Sequence, residues 1–172
     1  MSEFVLKTSD GRPFLTITEL SEGKFFVNDL FRRKFGGDAP DIPRHFIAFY
    51  RDVEGSLHVA GFSHMMRFKR SFLSGGSCSD GNTLRRMSEE ELAIVNELGG
   101  IWAMILRYAF NQLDGECDAY FGHCGDTRAR IVAMQTGFEP LDSPVHIARW
   151  HKPLSDAEKA AMTEEIMAIG LF

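Results

Sequence analysis

Apolar and polar positions alternate along the chain in a way that lays out its elements. Phe14 to Thr18 has the β-branched and aromatic content of a short strand and follows the turn-forming run Ser9 to Pro13. From Ser21 to about Phe35, the positions Phe26, Val27, Leu30, Phe31 and Lys34 recur at helical spacing, and Gly36-Gly37 supplies a stop. His45 to Tyr50 and Leu57 to Arg67 are aromatic-rich runs separated by Asp52 to Ser56, which predicts an antiparallel hairpin. Phe72 to Asp80 reads as a third strand, and Gly75-Gly76 within it leaves two readings open: an irregular strand close to a ligand, or a plain loop.

Helix signals take over in the second half. Ser88 and Glu91 form a capping box, so a helix starts there with Leu92, Val95 and Leu98 on one face. Gly99-Gly100 breaks or bends it, and Ile101, Ile105, Leu106, Ala109 and Leu113 resume the helical period. Cys117 to Cys124 predicts a buried strand, Asp126 caps a helix from Thr127 to Thr136 that stops at Gly137, and Val145 to Trp150 predicts a last strand. A second capping box, Ser155 with Glu158, opens an amphipathic helix through about Ile169. The sum is an α/β chain: antiparallel strands first, then strands alternating with helices that flank the sheet.

Length and composition narrow the options. The chain has 172 residues, 44% hydrophobic and 25% charged, which suits one domain spanning 1–172 with an apolar core of its own. A net charge of −5 argues against nucleic acid as partner. The short basic clusters Arg32-Arg33-Lys34, Arg67 to Arg70 and Arg85-Arg86 read equally as contacts to an anionic cofactor or as solvated element ends. Cys78, Cys117 and Cys124 are odd in number and lack zinc-ligand spacing, so neither a disulfide framework nor a metal is expected. The start Met-Ser-Glu-Phe-Val-Leu-Lys lacks a secretion signal and no apolar run spans a bilayer, so the expected location is the cytoplasm, without membrane contact.

One block carries a family resemblance. Asp126-Thr-Arg-Ala129-Arg-Ile-Val132-Ala133-Met-Gln135-Thr-Gly137-Phe138 follows a strand and resembles the segment Asn-x-x-Ala-x-x-Leu-Tyr-x-Lys-x-Gly-Phe of the GNAT superfamily of acetyl-CoA-dependent N-acetyltransferases. Upstream, Glu97-Leu-Gly-Gly100-Ile-Trp102 is similar to the family's cofactor loop Arg/Gln-x-x-Gly-x-Gly/Ala, with Gly100 the one strict match. The resemblance covers about Ile47 to Trp150 and implies a mixed, mostly antiparallel sheet flanked by helices. It further implies that Gly99, Gly100, Ile101, Trp102 and Ala103 meet the pyrophosphate of acetyl-CoA, with Asp126, Arg128 and Arg130 near the cofactor. Without the flanking pattern Gly99-Gly100 reads as a helix separator rather than a phosphate loop, and with it the two readings stand level.

The implied reaction is direct acyl transfer from coenzyme A to a small-molecule or protein amine, with no metal. The family's acid is often a Tyr, and the matching residue here is Ala133, which cannot donate a proton. Replacements are sought on the strand that the resemblance places beside the thioester: His123 first, because imidazole titrates near neutrality, then Cys124 and Tyr120. Asp80 and His64 rank below them as residues contacting the amine. Each of these also reads as an ordinary structural residue. A catalytically silent domain that binds coenzyme A or a partner protein is the alternative reading, and 15 Phe residues leave apolar surface for a homodimer.

Overall fold

The computed structural model describes residues 3–42, 44–170 and 172. The first half runs β1 (Phe4–Lys7), β2 (Pro13–Leu20), α1 (Lys24–Phe35), β3 (His45–Arg51), β4 (Leu57–His64), β5 (Met66–Phe68), β6 (Ser71–Ser74) and β7 (Cys78–Ser79). There follow α2 (Gly81–Leu84), α3 (Glu89–Glu97), α4 (Ile101–Gln112), β8 (Ala119–His123), α5 (Thr127–Gln135), β9 (Glu139–Pro140), β10 (His146–Trp150) and α6 (Asp156–Ile169). These divide into two compact units, one comprising the chain through His64 with Gly76–Gln112, the other Met65–Gly75 with Leu113–Phe172.

The first unit holds a five-stranded antiparallel sheet in the order β1-β2-β3-β4-β7. Helix α1 contributes Val27 and Leu30 to a cluster with Ala39, Ile47 and Phe62. It ends where Gly36 turns left-handed (φ 80°) and returns its N–H to the Arg32 carbonyl. Helix α4 is apolar almost all round, burying Ile101, Ala103, Met104, Ile105, Leu106, Tyr108, Ala109 and Phe110. The second unit holds the sheet β5-β6-β8-β10-β9, in which β6 and β8 are parallel and the other pairings antiparallel. Leu73, Ala119, Phe121 and Ala148 from one face of that sheet pack with Met162 and Ile166 of α6.

Both capping boxes are present, Ser88 with Glu91 and Ser155 with Glu158. Three expectations need correction. The run Leu57 to Arg67 is not one strand: it stops at His64 and resumes as β5, which pairs with β6 in the other sheet. The run Phe72 to Asp80 likewise breaks at Gly75-Gly76 into β6 and β7, whose partners are β8 and β4. Residue Asp80 is no strand end but the N-cap of α2, a helix the apolar pattern misses because it has a single turn. Strands β1 and β9 were also missed, being short and defined by their partners rather than by their own composition.

Candidate functional site

In the first unit the features of interest converge on the turn from α3 into α4. The Gly100 N–H donates to the Val95 carbonyl (2.9 Å) and the Gly99 N–H to the Asn96 carbonyl (3.0 Å), the paired bonds of a Schellman motif. Gly99 and Gly100 sit at φ 87° and 93°, backbone open to glycine and costly for other residues. The axes of α3 and α4 differ by 50° across this turn. Both glycine N–H groups are therefore consumed in closing α3 and cannot also cradle a phosphate.

The next three N–H groups are not used in this way. The first α-helical bond of α4 runs from the Met104 N–H to the Gly100 carbonyl (3.2 Å), so the N–H groups of Ile101, Trp102 and Ala103 have no intrahelical acceptor. They point along the positive end of a 12-residue helix dipole. The indole N–H of Trp102 is buried without a hydrogen-bond partner. Arg107, one and a half turns on, folds back so that Nη1 donates to the Leu98 carbonyl (2.6 Å). Its guanidinium lies beside Gly99, within 3.5 Å of where a Cβ would stand. Arg107 did not stand out in the sequence, where it is only a polar position in an apolar helix.

Asp80, also in the first unit, is fully engaged: it accepts from the Asn82 N–H (3.1 Å) and the Thr83 hydroxyl (3.1 Å) and pairs with Arg33 (3.3 Å). Burial pushes its carboxyl up, but these donors outweigh burial and hold it below the usual Asp range. His64 and His45 face each other across β3 and β4, ring centroids 5.9 Å apart, both buried.

The second unit carries the other candidates. His123 ends β8 opposite His146 of β10, rings 6.0 Å apart, with the Phe172 ring edge-on at 5.3 Å. Burial, helped by His146, lowers its pKa, and its buried Nδ1 has no hydrogen-bond partner. It is thus a neutral imidazole at pH 7. Strand alternation puts Tyr120 on the opposite face from His123, fully buried against Phe72, His151 and Arg149. Burial drives its phenol far above the ordinary range, so it stays protonated. Burial likewise raises the Cys124 thiol, which is the reverse of what a nucleophile needs.

Asp126 caps α5 by accepting from the Ala129 N–H (2.7 Å), Arg128 is exposed, and Arg130 donates to the Pro144 carbonyl (2.6 Å). Ala133 is wholly buried. The structure therefore groups Gly99 to Ala103 with Asp80 in one unit, and Tyr120, His123, Cys124, Asp126, Arg128 and Arg130 in the other. Among the described residues, no cluster of three or more His, Cys, Asp or Glu is arranged to hold a metal, and no single helix is long and apolar enough to cross a membrane.

No protein-family model matches the sequence, and no curated protein matches it either. Solved structures do. The ribosomal-protein-S18-alanine N-acetyltransferase from Escherichia coli superposes with a TM-score of 0.56 at 10% identity, over 83% of this chain and 97% of that one. GCN5 from Tetrahymena gives 0.49 at 12% identity, over 91% and 99%, and a GNAT-family acetyltransferase from Bacillus anthracis gives 0.45 at 11%, over 87% and 100%. Resting on the first of these, with its mostly antiparallel strands flanked by helices, this chain has the fold of the GNAT acetyltransferases.

Proposed function

We propose that residues 1–172 act as one acyl-CoA-dependent N-acyltransferase domain, moving an acetyl group from acetyl-CoA to the amine of a small molecule or protein. The observation that carries this reading is the start of α4: three N–H groups without an intrahelical acceptor at a helix N-terminus, an unpartnered indole N–H and a guanidinium one and a half turns on that folds back beside Gly99. Such a set suits a pyrophosphate. Ile101, Trp102 and Ala103 would hold it, with Arg107 adding charge, while Gly99 and Gly100 shape the turn.

In the reaction the amine attacks the thioester carbonyl, the amide bond forms and the carbon–sulfur bond breaks. Of the candidates in the second unit, His123, neutral near pH 7, has the chemistry to take the proton from the amine nitrogen and give it to the departing thiolate. Asp80 has no spare capacity for that task, Tyr120 is sealed in the core, and Cys124 needs no covalent role. The wholly buried Ala133 favours a second reading, in which the domain binds acetyl-CoA and does not turn it over.

Calorimetry with acetyl-CoA tests the proposal. A substitution at Gly100 would confound strain with lost contact because of its φ of 93°, so Arg107→Ala and Trp102→Phe are the better probes. Micromolar binding by the wild type, weakened about 5- to 30-fold in Arg107→Ala as expected for one charge-assisted contact, supports the site. No binding by folded wild type overturns it, and binding without turnover on any amine selects the second reading.

A further inference from the structure

The first sheet ends in β1, which pairs with β2 alone among the described residues and so leaves one side of its backbone open. Glu3-Phe4-Val5-Leu6-Lys7 is self-complementary when run antiparallel against itself. Centred on Val5, such a pairing sets Val5 against Val5, Phe4 against Leu6, and Glu3 against Lys7, twice over by symmetry. Opposite charges then meet at both ends and apolar side chains in the middle, which is what a cross-strand ladder rewards.

The faces agree with the edge. Register runs Val5, Thr16, Phe49 and Val59 in one row across β1 to β4, and Phe26 of α1 stacks edge-on against Phe49 at 5.5 Å. This row is not closed over: Val5 is 39% exposed, Phe26 47% and the adjoining Phe25 86%. On the other face Phe4 and Leu6 stand opposite the buried Ile17 and Leu15, with Phe4 still 38% exposed. A second copy joined at β1 would extend both apolar rows across the symmetry axis. Nothing comparable holds at β7, a two-residue strand at the opposite edge.

We propose that β1 is a homodimer interface, in which two copies pair antiparallel about Val5 and their first sheets continue into one. Glu3, just before β1, and Lys7 at its end set the register by meeting across the two copies. A bulge next to Lys7 twists the edge there and limits the ladder to these five residues, so the dimer is specific to this self-pairing rather than a general strand acceptor.

Sedimentation equilibrium of the full chain from about 1 to 200 μM, with circular dichroism and thermal unfolding as controls for folding, tests this. Wild type should show a monomer–dimer equilibrium. Lys7→Glu sets like charges together at both ends and should weaken association about ten- to thirtyfold. Val5→Lys should abolish it. The double exchange Glu3→Lys with Lys7→Glu rebuilds both pairs in reverse and should return the dissociation constant to within about threefold of wild type. A monomeric wild type, a dimer indifferent to Lys7→Glu and Val5→Lys, or a double exchange as weak as Lys7→Glu alone would each overturn the assignment.

Discussion

Glu91 is the most informative single residue to perturb, because a carboxylate with no exposed surface ties three elements of the first unit together. It accepts from the Ser88 N–H (2.7 Å), from Arg12 Nη2 (2.8 Å) and from the Tyr50 hydroxyl (3.2 Å), while its own N–H donates to Ser88 Oγ (3.3 Å). Arg12 lies just before β2, Tyr50 is on β3 and Ser88 starts α3, the helix whose far end is the glycine turn into α4. Glu91→Ala takes the carboxylate from a guanidinium whose other nitrogen is already buried and unpartnered, leaves the Tyr50 hydroxyl with the Arg86 carbonyl (3.3 Å) as its acceptor and removes half the capping box. Because Arg12 is 35% exposed and partly regains water, the loss falls short of that of a fully buried pair and should be about 2–3 kcal/mol, or roughly 7 °C in Tm for a chain of this size. Glu91→Gln keeps the shape and one acceptor and should cost about 1–3 kcal/mol.

The charge makes a separate prediction. Burial pushes the Glu91 carboxyl up, but its three donors outweigh burial and hold it below the ordinary 4.5. A carboxyl depressed by folding contributes stability that is complete above its unfolded value and is lost as pH falls through the folded one. Scanning calorimetry between pH 7 and 3 should show wild type losing more stability below about pH 4.5 than Glu91→Gln. A Tm for Glu91→Ala within about 2 °C of wild type, together with parallel acid limbs for wild type and Glu91→Gln, would refute the argument.

Three further outcomes are expected. His64 is held at about 4, mainly by burial and then by His45, so the unfolded chain takes up its proton between pH 6.5 and 4 while the folded chain does not. That stability is complete above pH 6.5, and about 3 kcal/mol should drain away as pH falls to 4, a slope that urea titrations should find missing in His64→Gln. Gly23 has ordinary helical φ and ψ, yet a Cβ there would stand 2.3 Å from His45 Cβ, so Gly23→Ala should lower the urea midpoint by the equivalent of about 3 kcal/mol, and His45→Ala, which keeps that Cβ, should restore little of it. If acyl transfer is found, His123→Gln should lower kcat/KM about 100-fold and remove the limb that falls below neutral pH, while Cys124→Ser should stay within about twofold in a steady-state assay.

Legibility in the sequence followed the range of the forces involved. Both capping boxes, the Gly36 stop, the Gly99-Gly100 break and the Asp126 cap were readable because each is a contract between residues at most six apart. The GNAT resemblance was readable for the same reason, since its motifs sit on such local joints. Which strand pairs with which was not: β4 and β5, or β6 and β7, look continuous until their partners in different sheets divide them. Side-chain roles were likewise decided far away in sequence. Tyr120 became core through Phe72, Arg149 and His151, Asp80 became a cap and ion-pair residue through Arg33, and of the five residues Gly99 to Ala103 the first two spend their N–H groups closing α3. A backbone N–H or a carboxylate reveals whether it is available for chemistry only when every competing partner is in place, and those partners are assembled by folding rather than written beside it.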